Sequence, residues 1–197
     1  MKQEDIVKKY IEEKNGILKT SELKQAGVDT ITLTRLVKKG IIERIARGLY
    51  IDINTFEDSY YIFQYQCSKA IFSHETALYF HDLTDRTPIK IMATIPSGYN
   101  SKFIKDKNYF FSYLKQELYE LGKIKVKTPY GNDVYCYDLE RTICDLIRDK
   151  EKIESYQFTD AMQRYVKFKN KDINKLYKYA EKFNIKEEVR KYMEVLI

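Results

Sequence analysis

Tryptophan is absent, histidine occurs twice and cysteine three times in a chain of 197 residues. Each shortage excludes something. Cys67, Cys136 and Cys144 are odd in number, and their spacings match neither a disulfide framework nor a CxxC zinc site, so they read as reduced thiols. Two histidines without an HExxH pattern leave little from which to build a metalloenzyme. A Gly-rich phosphate loop, a Ser/His/Asp set and a Cys/His pair with an orienting partner are not evident either. No run of about eighteen apolar residues occurs. The opening stretch MKQEDIVKKYIEEK is charged at helical spacing, which argues against a secretory signal. A soluble, cytoplasmic protein is expected, with no membrane association, cofactor or metal.

What is present is charge. Lys and Arg number 35 against 29 Asp and Glu, a net charge of +6, alongside 44% hydrophobic residues. That is enough apolar material for a real core divided between two small domains. Lysine outnumbers arginine 27 to 8 and tyrosine reaches 18, a bias that A/T-rich codons explain, so the tyrosines are not counted as base-stacking residues. The scarce arginines are more informative, because Arg35, Arg44 and Arg47 fall within thirteen residues.

Ile6, Val7, Tyr10 and Ile11 recur at helical spacing, which predicts a helix from about Gln3 to Lys14, stopped by Asn15-Gly16. Thr20 or Ser21 caps a second, short helix with Leu23 and Ala26 inward, closed by Gly27. Asp29 or Thr30 caps a third, with Leu33, Leu36 and Val37 inward, ending at Gly40. Two helices around a tight Gly-containing turn form a helix-turn-helix. The β-prone segments 41–45 and 49–51 flank Ala46-Arg47-Gly48 and read as a hairpin wing. Polar residues 52–57 mark the expected boundary, giving a winged helix-turn-helix over 1–54 and a second domain over 55–197. In the second domain, helices are expected near 60–69 and over 73–81, with Ser73 as the cap. Strand-like segments follow at 89–95, 109–113, 123–127 and 134–137. Asp138 caps the first of four helices with sharp apolar stripes. The fold class is thus α+β, with a mixed sheet over 70–137 and a helical array over 138–197.

Charge and topology coincide in the first domain. Residues 30–48 carry five cations and one acid. In a helix-turn-helix the third helix enters the major groove and the wing lies on the backbone or minor groove. With 33, 36 and 37 inward, Thr32, Thr34, Arg35, Lys38 and Lys39 are left outside. Arg35 is the choice for direct readout, since its planar fork can donate two bonds to guanine. Thr32 and Thr34 suit bases or phosphates, and Lys38, Lys39, Arg44 and Arg47 suit phosphates, with Arg47 able to enter a narrow minor groove. The alternative is a winged helix that binds protein and has no DNA function.

A second basic cluster runs from Arg164 to Lys191, ten cations against four acids. It is either the solvated face of amphipathic helices or a second surface for DNA phosphates, in which Lys171, Lys175, Lys178 and Lys182 take part. His74 and His81, seven residues apart, sit about 10 Å apart along a helix, too far for shared metal ligation. They read as structural anchors. Arg141 and Asp145 at i, i+4 read as a helix pair with Asp138 as cap, and Glu140 lies beside them.

The segments Ala46-Arg47-Gly48-Leu49-Tyr50, then Ser73-His74-Glu75-Thr76-Ala77-Leu78 with His81-Asp82-Leu83-Thr84, then Tyr137-Asp138-Leu139-Glu140-Arg141-Thr142-Ile143-Cys144-Asp145, resemble in order and spacing the AbiEi antitoxins of type IV, abortive-infection toxin-antitoxin systems. The resemblance implies a non-enzymatic bacterial or mobile-element protein. It implies an autorepressor that binds double-stranded DNA at inverted repeats in its own promoter. It further implies a C-terminal domain that counters a nucleotidyltransferase-like toxin without a stable complex. Under that likeness Ser73, His74, His81, Asp138, Glu140, Arg141 and Asp145 mark either the antitoxin activity or the packing of the domain.

Overall fold

In the computed structural model, which describes residues 2–196, the chain is α+β and divides into two compact units. The first unit runs to Gln66 and takes in Lys127–Asp133. It begins with α1 (Gln3–Glu13), β1 (Ile17–Lys19), α2 (Thr20–Gln25) and α3 (Thr30–Lys38). The hairpin β2 (Ile42–Ala46) and β3 (Leu49–Asp52) follows, then α4 (Ser59–Gln66). Asn15 and Gly16 both adopt positive φ at the end of α1, as the Asn-Gly pair predicts, and a β-carbon on Gly16 would collide with Thr55.

The three strands make an antiparallel sheet in the order β1-β3-β2, with Ile17 opposite Ile51 and Arg44 opposite Tyr50. Strand β1 carries no signal in the sequence, because three residues are too few to show a period. The inward residues Val7, Leu18, Leu23, Val28, Leu33, Leu36 and Ile42 form one core cluster. Two face assignments on α3 are corrected. Val37, expected inside, is 37% exposed, whereas Thr32, expected outside, is 5% exposed.

The expected boundary at 54/55 falls inside this unit. Helix α4 belongs to it, with Phe63 and Gln64 buried and the Tyr65 hydroxyl donating to the Gly48 carbonyl. Asp58 is buried and accepts from the Tyr61 N–H, the Thr128 hydroxyl and the Asn132 amide. A buried carboxylate needs such donors, and they come from a segment far along the chain that no local pattern ties to residue 58.

The second unit holds Cys67–Val126 and the chain from Val134 onward. Its sheet contains β4 (Ile71–Phe72), β5 (Ile91–Pro96), β6 (Tyr109–Leu114), β7 (Lys123–Lys127) and β8 (Asp133–Tyr137), in the order β6-β5-β4-β8-β7. The sheet is mixed: β4 runs antiparallel to β5 and parallel to β8, and β5 runs parallel to β6. Helix α5 (His74–Phe80) follows β4, and α6 (Gln116–Glu120) follows β6. The C-terminal array is α7 (Leu139–Arg148), α8 (Ser155–Lys167), α9 (Ile173–Lys182) and α10 (Lys186–Leu196). Leu78, Ile143, Leu146, Ala161, Tyr165, Leu176, Ala180, Val189 and Met193 form its shared core. Among the described residues no helix is long and apolar enough to cross a membrane.

Candidate nucleic-acid interface and a buried ionic network

The start of α3 is held by side chains on two elements. Asp29 occupies the N-cap and accepts from the Thr32 N–H at 2.7 Å; that bond holds its carboxyl below the ordinary carboxylate range. Gln3 on α1 accepts through Oε1 from both the Asp29 N–H, at 3.1 Å, and the Thr32 hydroxyl, at 2.6 Å. Thr32 is therefore a clamp between α1 and α3 and is not open to a base, which corrects its place among the DNA-facing residues. The Thr34 hydroxyl is outward but donates back to the Thr30 carbonyl at 2.9 Å.

The cations of this unit are at the surface. Arg35 and Lys38 on α3, and Lys39 at its C-cap, are exposed, as are Arg44 and Arg47 on the hairpin. Glu4 on α1 lies 3.0 Å from Lys39 Nζ and 3.9 Å from Arg35 Nη1. The Lys39 bond, with Arg35 adding to it, keeps the Glu4 carboxyl below its usual range. Lys39 is thus partly neutralised at home. Arg35, at 3.9 Å, keeps a side chain 57% exposed, and its fork remains open to a ligand. Arg44 Nε donates to the Ala46 carbonyl, while Lys38 and Arg47 have no ion pair among the described residues. The result is an exposed helix bearing cations followed by a hairpin bearing two more, in the winged-helix order α1-β1-α2-α3-β2-β3.

Residues 5–51 match the family described as transcriptional regulator, AbiEi antitoxin. The matched segment spans most of α1 to the middle of β3, the elements that build and present this basic surface. No curated protein matches the sequence. The crystal structure of the RV2827C protein from Mycobacterium tuberculosis is similar in fold, with a TM-score of 0.60 and 10% identity over 89% of this chain and 70% of that one.

Outside the AbiEi-matching segment, the second basic cluster is less open than its sequence suggests. Lys175 turns onto Asp138 and Glu140, at 2.9 and 3.1 Å. Burial pulls its pKa down, but the bonds and charges of those two carboxylates outweigh that and hold the ammonium above its ordinary range. The Lys171 ammonium donates to the Phe168 carbonyl at 3.3 Å. Lys175 is therefore removed from the set of free cations and Lys171 is half-buried, while Lys178 and Lys182 are exposed.

The motif residues of the second unit come together in a buried network. Asp138 caps α7, accepting from the Arg141 N–H at 2.9 Å, and its other oxygen accepts from the Tyr179 hydroxyl. Glu140 accepts from the Asp172 N–H at the start of α9. Arg141 is fully buried between the rings of Tyr137 and Phe183, with its guanidinium carbon 3.9 and 4.3 Å from their centroids. It donates to Asp145 at 3.2 Å and to the carbonyls of Leu118 and Leu121 at 2.6 and 2.8 Å. Arg148 continues the chain from Asp145 to Asp149, and Asp149 meets His74 Nε2 at 3.2 Å.

His74 Nδ1 lies 2.9 Å from the Ser73 hydroxyl, which accepts from Thr94 at 3.0 Å. Ser73, His74 and Asp149 are thus a Ser/His/Asp set that the sequence did not reveal, because Asp149 lies far along the chain. Ser73 is fully buried and His74 is 4% exposed, so the set is closed off from solvent. Ser73 stands at the N-cap of α5 as expected, yet its hydroxyl faces His74 and Thr94 and makes no cap bond. His74 enters the helix at φ +50°. His81 sits at the opposite end of α5 and donates from Nε2 to the Tyr137 carbonyl at 2.7 Å. Burial lowers its pKa, opposed by that carbonyl and by Asp138, Glu140 and Asp82. Asp149, Arg148, Thr94, Tyr137 and Gln3 carry no local sequence signal for these roles.

Proposed function

We propose that this protein is an antitoxin and transcriptional autorepressor. In this reading α3 of one copy enters the major groove at each half-site of an inverted repeat in the promoter of its own operon, and the β2–β3 wing rests on the backbone. The second unit counters a nucleotidyltransferase-like toxin without forming a stable complex with it, in the manner of a type IV system. The observation that carries the reading is that Arg35, Lys38, Arg44 and Arg47 stand exposed on the two DNA-facing elements, within the segment that matches a regulator family. The sealing of Ser73 and His74 supports a non-enzymatic role for that set, and the proposed regulator acts in the cytoplasm without a cofactor.

The test is a mobility-shift titration on the DNA immediately upstream of the gene, repeated across salt concentrations. Binding should weaken steeply as salt rises. Lys38→Ala and Arg44→Ala should each flatten the slope by about one unit on every sequence, whereas Arg35→Ala should change base preference. Salt-independent binding, or none, overturns the DNA-binding role and leaves a protein-interaction module. Cells expressing the neighbouring toxin should be rescued by the chain without the two proteins co-purifying.

A further inference from the structure

Most apolar side chains on the first unit's helix-turn-helix face inward; Val37 is partly exposed, and one other stands out much further. Ile31, the second residue of α3, is 70% exposed, while Leu33 and Leu36 on the same helix are buried. A branched apolar side chain held out in water at the first turn of this helix stabilises nothing in the free protein. Its neighbours on the helix surface are Thr34 and Arg35, three and four residues on, with Lys38 one further turn along. All three are exposed. The Thr34 hydroxyl donates to the Thr30 carbonyl, so it has no proton left to give a base. What this stripe offers a ligand is one rigid apolar group at its N-terminal end, then a guanidinium and an ammonium.

A duplex presents one apolar projection in its major groove, the C5-methyl group of thymine. The first turn of a recognition helix is the part that reaches base edges. A β-branched side chain has few rotamers and loses little freedom on contact. Resting on the proposal that α3 enters the major groove, we infer that Ile31 is a second specificity-determining residue, which packs on a thymine methyl group. Side chains four apart on a helix have β-carbons roughly 6 Å apart, against about 3.4 Å per base pair along one strand. The thymine therefore lies one or two base pairs from the guanine read by Arg35.

The experiment uses the full chain and a duplex library with a randomised core, from which bound sequences are enriched and the best duplex resynthesised. Each thymine is then replaced in turn by uracil, which removes the methyl group and leaves every hydrogen-bonding atom in place. For the unaltered protein, one replacement within two base pairs of the selected guanine should weaken binding about fourfold, the value of one methyl group withdrawn from water. Ile31→Ala should bind thymine and uracil equally at that position and still select the guanine. Ile31→Val should retain most of the difference.

Two results overturn the inference while the proposed function stands. One is a duplex selected with its guanine but indifferent to every uracil replacement; the other is an Ile31→Ala protein that keeps the full thymine preference. A library from which no sequence is enriched overturns both, because α3 then reads no bases at all.

Discussion

Arg141 places a guanidinium in the fully buried interior of the second unit. Its guanidinium is stable there because Asp145, the Leu118 and Leu121 carbonyls and two aromatic faces replace its hydration. Removing it strands those acceptors in the interior. Arg141→Ala should therefore cost about 3–5 kcal/mol of stability in urea unfolding. Arg141→Lys should recover less than half, since a point charge cannot span the carboxylate and both carbonyls. A loss under about 1 kcal/mol would show that the network contributes nothing beyond a surface pair. The spacing of Arg141 and Asp145 made their pairing legible in the sequence. Their complete burial was not legible, because the groups that surround them come from α6, the segment after it and the end of α9. Thr32 is a similar case: threonine is equally at home on a wet or a dry face, and only Gln3 decides which.

At the level of elements, α3 depends on α1 for its placement. Gln3 joins the Asp29 N–H and the Thr32 hydroxyl through a single oxygen, so the first turn of α3 is anchored by a residue outside it. Gln3→Ala leaves the buried Thr32 hydroxyl without its acceptor and should lower stability by about 1 kcal/mol. Amide exchange should rise most over residues 30–34, and DNA affinity should fall without a change in base preference. Unchanged exchange there would show that the Asp29 cap alone holds the turn. Helices marked by an apolar stripe, a cap or a stop residue were legible from sequence: α1 to α5 and α7 to α10. The strands β1 and β4 and the helix α6 were not, having three, two and five residues. Such lengths complete neither a helical nor a strand period.

Across the whole molecule, acid should act unevenly. Both histidines, His74 and His81, lie in the second unit. Burial depresses the His81 pKa below its ordinary value, which is about 6.5 in an unfolded chain. As pH falls through that value the unfolded chain takes up a proton before the native one does. The stabilisation is thus complete above about pH 6.5 and is lost as pH drops toward the native pKa. Between pH 7 and pH 5, amide protection corrected for intrinsic rates should fall over residues 74–83 and 134–148 and hold over 3–52. His81→Gln, which can still donate to the Tyr137 carbonyl, should remove most of that fall. Equal loss in both units would place the acid sensitivity elsewhere.

The order of helices, the wing, the excess of cations on α3 and the hairpin, and the capping aspartates follow from the sequence alone. They are local facts, written in spacing, turn residues and charge within a few positions of one another. Which cations stay free, which threonine is sealed and which serine, histidine and aspartate meet was decided only by the tertiary fold. Those outcomes depend on desolvation and on partners supplied from distant segments, and a side chain's charge counts outside the protein only where no such partner reaches it first.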